Sequence, residues 1–383
     1  MGILRNHLVG LLLAGGAAFP AMAEPIDTAA RHAFMMDTGT GAVLLDKDAD
    51  IPMPPASMSK VMTMYMLFEA LKERRVSLTD TLPVSENAWR RGGAKTEGST
   101  MFLPLNSRVK VEDAIRGIIV QSGNDACIVV AEALAGSEDA FAEAMNKKAR
   151  QIGMTNSSFR NATGWPHPEH RMTARDLAIL AKRTILDFPD YYRYYAEREF
   201  TYNNVKQENR NPLIRRNMGA DGLKTGHTEE SGYGLMASAT RNDRRLVLVV
   251  NGLKSMKQRG EEAERLLEWG FREFNNYALF KAGDVVGDAA VWLGKSAQVP
   301  LVVDRDLVLT MPRKSRLDMK VTVKFEGPIP APVVQGAEVG KVTVTAPGVA
   351  PVEIPIRAGA NVERLGLGGR LASALSHIVF GHP

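Results

Sequence analysis

At 383 residues, 45% hydrophobic and 24% charged, the chain is longer than one hydrophobic core usually fills and too apolar to be disordered. Its formal charge of +5 is spread over scattered pairs (Arg90 and Arg91, Arg215 and Arg216, Arg244 and Arg245) with no aromatic-basic motif, which argues against a nucleic-acid face. The single cysteine, Cys127, rules out an intramolecular disulfide and, inside the apolar run "DACIVVAEALAG", reads as a buried inert thiol.

The first residues read as an address. Arg5 precedes the short apolar stretch "LVGLLLAGGAA" (8 to 18), and "AMA" (21 to 23) fits a small-x-small cleavage site, so residues 1–23 are expected to be an export signal. The stretch falls short of the roughly 20 residues that span a bilayer. Next, "HAFMMDTGTGAVLLDKDAD" places two apolar runs around "TGTG", the pattern of a β-hairpin.

From about 57 to 185 helical periodicity dominates, in "VEDAIRGIIV", "EDAFAEAMNKKARQIG" and "TARDLAILAKRTIL". Strands return in "GYGLMASATR" and "RRLVLVVNGLK", and "EEAERLLEWGFREF" (261 to 274) is an amphipathic helix. Strands at both ends with helices between predict an α/β (α+β) domain, 24–275, whose antiparallel sheet joins distant parts of the chain.

Beyond 276 the period changes to two. In "RLDMKVTVKF", Leu317, Met319, Val321, Val323 and Phe325 alternate with polar residues, which predicts a half-buried strand. Residues 276–364 are read as a small all-β domain. The remaining 365–383 carry "GLGG" and then "RLASALSHIVF" (370 to 380), where Leu371, Ala374, Leu375 and Ile378 share one helical face. This C-terminal amphipathic helix is too short to span a bilayer, so it is expected to lie on a membrane surface, with packing against a protein as the alternative.

Within this frame, "PPASMSKVMTMYM" (54 to 66) sets Ser57 and Lys60 three apart at the mouth of an apolar run. An N-cap would explain the serine but not the lysine, since a capping box wants an acceptor at that place. On one helix face the two side chains can meet, and a lysine held in low dielectric loses its charge and becomes a base for a serine nucleophile. A second match, Ser107 and Lys110 in "SRVK", sits among polar residues and lacks that context. In "QSGND", Ser122 offers a proton-relaying hydroxyl and Asn124 an amide for a peptide backbone; "SEN" (85 to 87) is a decoy of the same form. "DGLKTGHT" adds Lys224, Thr225 and Gly226: cationic and hydroxyl groups suited to a carboxylate, and a glycine that lets a substrate backbone approach a strand edge.

Ser122 follows Ser57 by 65 residues and Lys224 follows Ser122 by 102. With "PASMSK", "SGN", "DGLKTGHT", "EREFTYNN", "NRN" (209 to 211) and "EWGF" in this order, the chain resembles the low-molecular-mass penicillin-binding proteins, the serine-type D-alanyl-D-alanine carboxypeptidases. The resemblance runs from about 26 to 380 and implies a β-lactamase/transpeptidase-like fold without a cofactor.

It also implies roles. Ser57 is acylated by the terminal peptide bond of a peptidoglycan stem, Lys60 takes its proton, and Ser122 with Lys224 passes a proton to the departing D-alanine. Backbone N–H groups of Ser57 and His227 form an oxyanion hole, Asn124 and Thr225 orient the substrate, and Arg210 helps hold its carboxylate. β-Lactams are trapped at the same serine. The implied setting is the periplasmic side of the cytoplasmic membrane, as a peripheral protein.

Three alternatives stand beside this reading: a β-lactamase of the same fold, a peptidoglycan endopeptidase, and a non-catalytic scaffold that binds peptidoglycan. A class A lactamase is expected to carry aspartate where Gly123 stands. Trp165 in "NATGWPHPEH" occupies a place where the family more often has an aliphatic residue, and His167 and His170 read as exposed loop histidines rather than a metal pair.

Overall fold

The computed structural model describes residues 26–96 and 98–371. The expected export signal (1–23) lies outside the described residues, as does the C-terminal helix beyond Leu371. The chain forms two compact units: Pro25–Lys281 with Arg305–Arg313, and Ala282–Asp304 with the chain from Lys314 onward.

In the first unit the Asp37 carboxylate accepts the backbone N–H groups of Gly39 and Thr40, closing the turn between the antiparallel strands His32–Asp37 and Val43–Lys47. His32–Asp37 pairs on its other edge with Arg244–Leu253, more than two hundred residues away. Gly232–Arg241 and Ala220–Thr228 follow outward, so the antiparallel sheet expected from the pattern has five strands. The helices expected between its first and last strands are present, among them Lys60–Lys72, Val111–Ile119, Asn124–Ala135, Glu138–Gln151 and Ala174–Asp187.

Lys60–Lys72 is largely buried among them. Its run from Lys60 to Tyr65 is buried throughout, because residues apolar on every face leave no side to give to water. The helix read at 261–274 begins earlier, at Met256, where the Ser255 hydroxyl accepts the Gln258 N–H and caps it.

Two departures concern the chain after residue 273. The strand Phe274–Phe280 pairs with Leu307–Pro312, and both cluster with the first unit, so that unit extends past residue 275 and takes back a distant strand. In the second unit a six-stranded sheet runs in the order Lys320–Phe325, Glu338–Ala346, Val349–Ala358, Gln298–Val303, Val285–Trp292, Ile329–Pro330. The alternating segment is therefore an edge strand. It is not half-buried as expected: Leu317 is 91% exposed, and Val321 and Phe325 are exposed as well. Period two specifies a strand but not whether either face is covered.

Candidate active site

Ser57 does not cap a helix. It sits in the 3-10 turn Ala56–Ser59 that leads into Lys60–Lys72 and makes no capping bond. Ala56 is held at a positive φ of 48°, and its carbonyl lies where a side chain on Gly164, itself at φ +79°, would have to be. The turn is thus wedged against the loop 161–165. The Asn161 side-chain oxygen shapes that loop by accepting the N–H groups of Thr163, Gly164 and Trp165.

Lys60 reaches both sides of this wedge. Its Nζ lies 2.8 Å from Ser57 Oγ and donates over 2.8 Å to the Thr163 carbonyl. Only 1% of Lys60 is exposed. Burial lowers its pKa from 10.5 to about 8, with the Arg210 charge acting the same way and Cys127 and Asp125 opposing.

A second serine-lysine pair faces the first. Ser122 is held at φ 60° just before the helix Asn124–Ala135, and Lys224 Nζ donates to its Oγ over 2.8 Å. Both are buried, and burial pushes Lys224 well below its ordinary value, reinforced by repulsion from Lys60 and Arg210. Asp125 fastens this turn: its carboxylate accepts from Thr100 Oγ1 and from the N–H groups of Met101 and Leu103.

Ser57, Ser122, Asn124, Thr225, Gly226, His227 and Arg210 all line one cleft of about 600 Å³, so the sequence-derived side chains converge, with the Lys60 and Lys224 ammonium groups directly behind the two serines. The buried Asn124 Oδ1 has no hydrogen-bond partner among the described residues. A side chain at Gly98 would come within 2.6 Å of Asn124 Nδ2. His227 stacks on Tyr233 at 3.9 Å, and Arg210 donates to Ser99 Oγ over 2.5 Å.

Gly226 has a packing reason to be small beside the expected substrate approach. A Cβ there would lie 2.9 Å from the Pro55 carbonyl and 3.2 Å from Ala56 Cβ, so the glycine lets the nucleophile turn pack directly on the strand.

The structure adds one cation that the sequence did not single out. Arg259 lines the cleft from the first turn of Met256–Glu273 and is 5% exposed, its Nε without a hydrogen-bond partner and no carboxylate paired with it among the described residues. Burial lowers its pKa from 12.5 to about 10. Arg210 likewise has no carboxylate partner among the described residues, so two guanidinium groups are left for an anion in the cleft.

The decoys find other uses. Ser85 caps the helix Glu86–Gly92, and Lys110 is exposed on a short strand. His167 is exposed as expected, but His170 is not: it is 2% exposed, with Nε2 2.9 Å from Ser59 Oγ and its ring edge-on to Phe159. Burial takes it from 6.5 to about 4, which keeps it neutral beside the nucleophile turn. Cys127 is buried and its thiol is pushed up to about 12 by that burial, as befits an inert core residue.

A family described as D-alanyl-D-alanine carboxypeptidase, peptidase S11, matches residues 19–255. The chain belongs to this family. A second match, the C-terminal domain of penicillin-binding protein 5, covers 274–364. The D-alanyl-D-alanine carboxypeptidase DacC of Escherichia coli (strain K12) is 38% identical over 96% of this chain and 94% of that protein. Penicillin-binding protein 5 from Haemophilus influenzae superposes with a TM-score of 0.77 at 35% identity, covering 89% of this chain and all of that one. Penicillin-binding protein D2 from Listeria monocytogenes, solved in an ampicillin-bound form, superposes with a TM-score of 0.56 at 27% identity over 64% of this chain and 98% of that one. Like its relatives, this carboxypeptidase is of the serine type, with the penicillin-binding protein fold followed by a β domain.

Proposed function

We propose that this carboxypeptidase removes the last D-alanine from peptidoglycan stem pentapeptides through an acyl-serine intermediate at Ser57. The observation that carries the reading is the pair of serine-lysine contacts with buried lysines, Ser57 with Lys60 and Ser122 with Lys224, at 2.8 Å each on one cleft. Neutral Lys60 keeps an N–H on the Thr163 carbonyl and takes the Ser57 hydroxyl proton as Oγ attacks the penultimate D-alanine carbonyl. The developing oxyanion is met by the backbone N–H groups of Ser57 and His227, a contribution typically about 3 to 4 kcal/mol per donor. Collapse breaks the C–N bond while Lys224 through Ser122 delivers a proton to the leaving amine. Water then hydrolyses the ester and restores Ser57.

Asn124 and Thr225 orient the peptide, Gly226 keeps the strand close to the nucleophile turn, and Arg210 with Arg259 receives the terminal carboxylate. A β-lactam presents its own, ring-strained amide to Ser57 in place of the peptide bond. No cofactor enters any step.

Residues 1–23 direct export and are removed. The unit of Pro25–Lys281 with Arg305–Arg313 carries the catalysis, the β domain follows it, and 365–383 hold the protein on the periplasmic face of the cytoplasmic membrane. Among the described residues no helix is long and apolar enough to cross a membrane, which suits peripheral attachment. The test is D-alanine release from an acyl-D-alanyl-D-alanine peptide: Ser57→Ala is expected to abolish it with the fold intact, and retained release overturns the assignment.

A further inference from the structure

A second cleft of about 350 Å³ opens at the far end of the strand that borders the active site. Tyr233 of Gly232–Arg241 lines the catalytic cleft and Arg241, eight residues on, lines this one. At the rise of an antiparallel strand that separates them by about 26 Å. The wall is built from three directions: the turn Arg241–Arg244, the last part of Met256–Glu273 through Glu268, Phe271 and Arg272, and Arg313 at the end of the returning strand.

The turn is set by Asn242 and Asp243 at φ 47° and 59°, the two positive values of a tight hairpin, and this brings Arg241 and Arg244 to one side. Both guanidinium groups lie over the Phe271 ring, at 4.8 and 5.8 Å.

Positive charge exceeds negative among the side chains that line the cleft. Glu268 is the one acid on the wall and is held by Arg241. Arg244, 8% exposed, pairs with Asp37, yet its Nη2 is enclosed with no partner among the described residues. Arg272 pairs with Glu273 at the surface, and Arg313 has no hydrogen bond or ion pair among the described residues. On the lining itself four cations thus face one carboxylate, with Asp37, Glu273 and the turn's Asp243 lying outside it.

The geometry points to a binding site for a phosphate-bearing ligand in this cleft. Donors converging from a turn, a helix and a strand end suit a tetrahedral oxyanion, whose oxygens point in all directions, better than a planar carboxylate that one guanidinium fork satisfies. Arg313, Arg272, Asn242 and Asn275 supply the reachable donors, and Arg244 supplies fixed charge behind them. The volume exceeds that of a bare phosphate, a water's share being about 30 Å³, so a phosphoester with a small polar body fits.

The test is calorimetric titration of the full chain with glycerol phosphate, comparing wild type with Arg272→Ala/Arg313→Ala. Both residues are exposed and outside the catalytic cleft, so D-alanine release should be unchanged and reports an intact fold. Any phosphate binding in the catalytic cleft is common to both proteins and drops out of the comparison. Wild type should show a saturable site that the double variant weakens about tenfold or more. Arg75→Ala/Arg150→Ala, which removes equal charge elsewhere, should bind as wild type. Sedimentation with phosphatidylglycerol vesicles against phosphatidylcholine vesicles names the source: a deficit of the double variant on the former alone means a lipid headgroup, and equal sedimentation means a soluble phosphoester. No site in wild type, equal affinity in the double variant, or equal loss in the charge-matched control overturns the proposal.

Discussion

Lys60 has a pKa of about 8 because burial opposes its charge, and it can take the Ser57 proton only when neutral. The acylation rate constant should therefore rise with pH through about 8 and then level, and Lys60→Arg, charged at every accessible pH, should be inactive. Stopped-flow acylation by a chromogenic cephalosporin measures both; a profile flat from pH 6 to 10 would remove Lys60 as the base. The same shift has a stability sign. A lysine depressed in the fold binds its proton more weakly there than in the unfolded chain, so its penalty is full below about pH 8 and relieved as pH climbs toward the ordinary 10.5. Arg259 makes a separate prediction: Arg259→Ala should raise KM for the peptide by about tenfold or more with a smaller fall in kcat. Ser57 and Lys60 were legible because an apolar run gives a lysine no other use. Arg259 was not, since a guanidinium in the first turn of an amphipathic helix looks like any surface arginine until a cleft is folded around it. His170 misled in the opposite direction, its burial coming from Ser59 and Phe159, both remote in sequence or masked by a polar loop.

At the scale of elements, the site depends on one turn trapped between a strand and a loop. Gly226→Val replaces a poor strand former by a good one, yet its Cβ would meet the Pro55 carbonyl at 2.9 Å. Overpacking of this kind costs about 1 to 3 kcal/mol, so the variant should melt earlier and lose activity despite its better propensity. A thermal scan beside D-alanine release checks both; unchanged activity would mean the turn tolerates displacement. The helix Lys60–Lys72 and the central strands were legible because hydrophobic run length and period survive in any context. The covering of a face does not: the Lys320–Phe325 alternation is real, but its place at a sheet edge is decided by the order of the other five strands.

At the scale of the whole molecule, the sheet closes between strands more than two hundred residues apart, a pairing that strands at both ends of a helical segment already implied. The return of Leu307–Pro312 to Phe274–Phe280 was not implied, because nothing local marks a strand as belonging to an earlier unit. Leu309 and Met311 are buried there, so a chain stopped at residue 275 should melt several degrees below the full chain. Equal melting temperatures would show that the returning strand contributes nothing. For attachment, deleting residues 370–383 should move the protein from the membrane to the soluble fraction, and persistence at the membrane would reject that segment as the anchor.

The central claim is that Ser57 is the acylated nucleophile, and intact-protein mass after incubation with benzylpenicillin tests it most directly. The account predicts a penicilloyl adduct on wild type and none on a folded Ser57→Ala; an adduct that survives the substitution, or none on wild type that also leaves the penicillin intact, would contradict it.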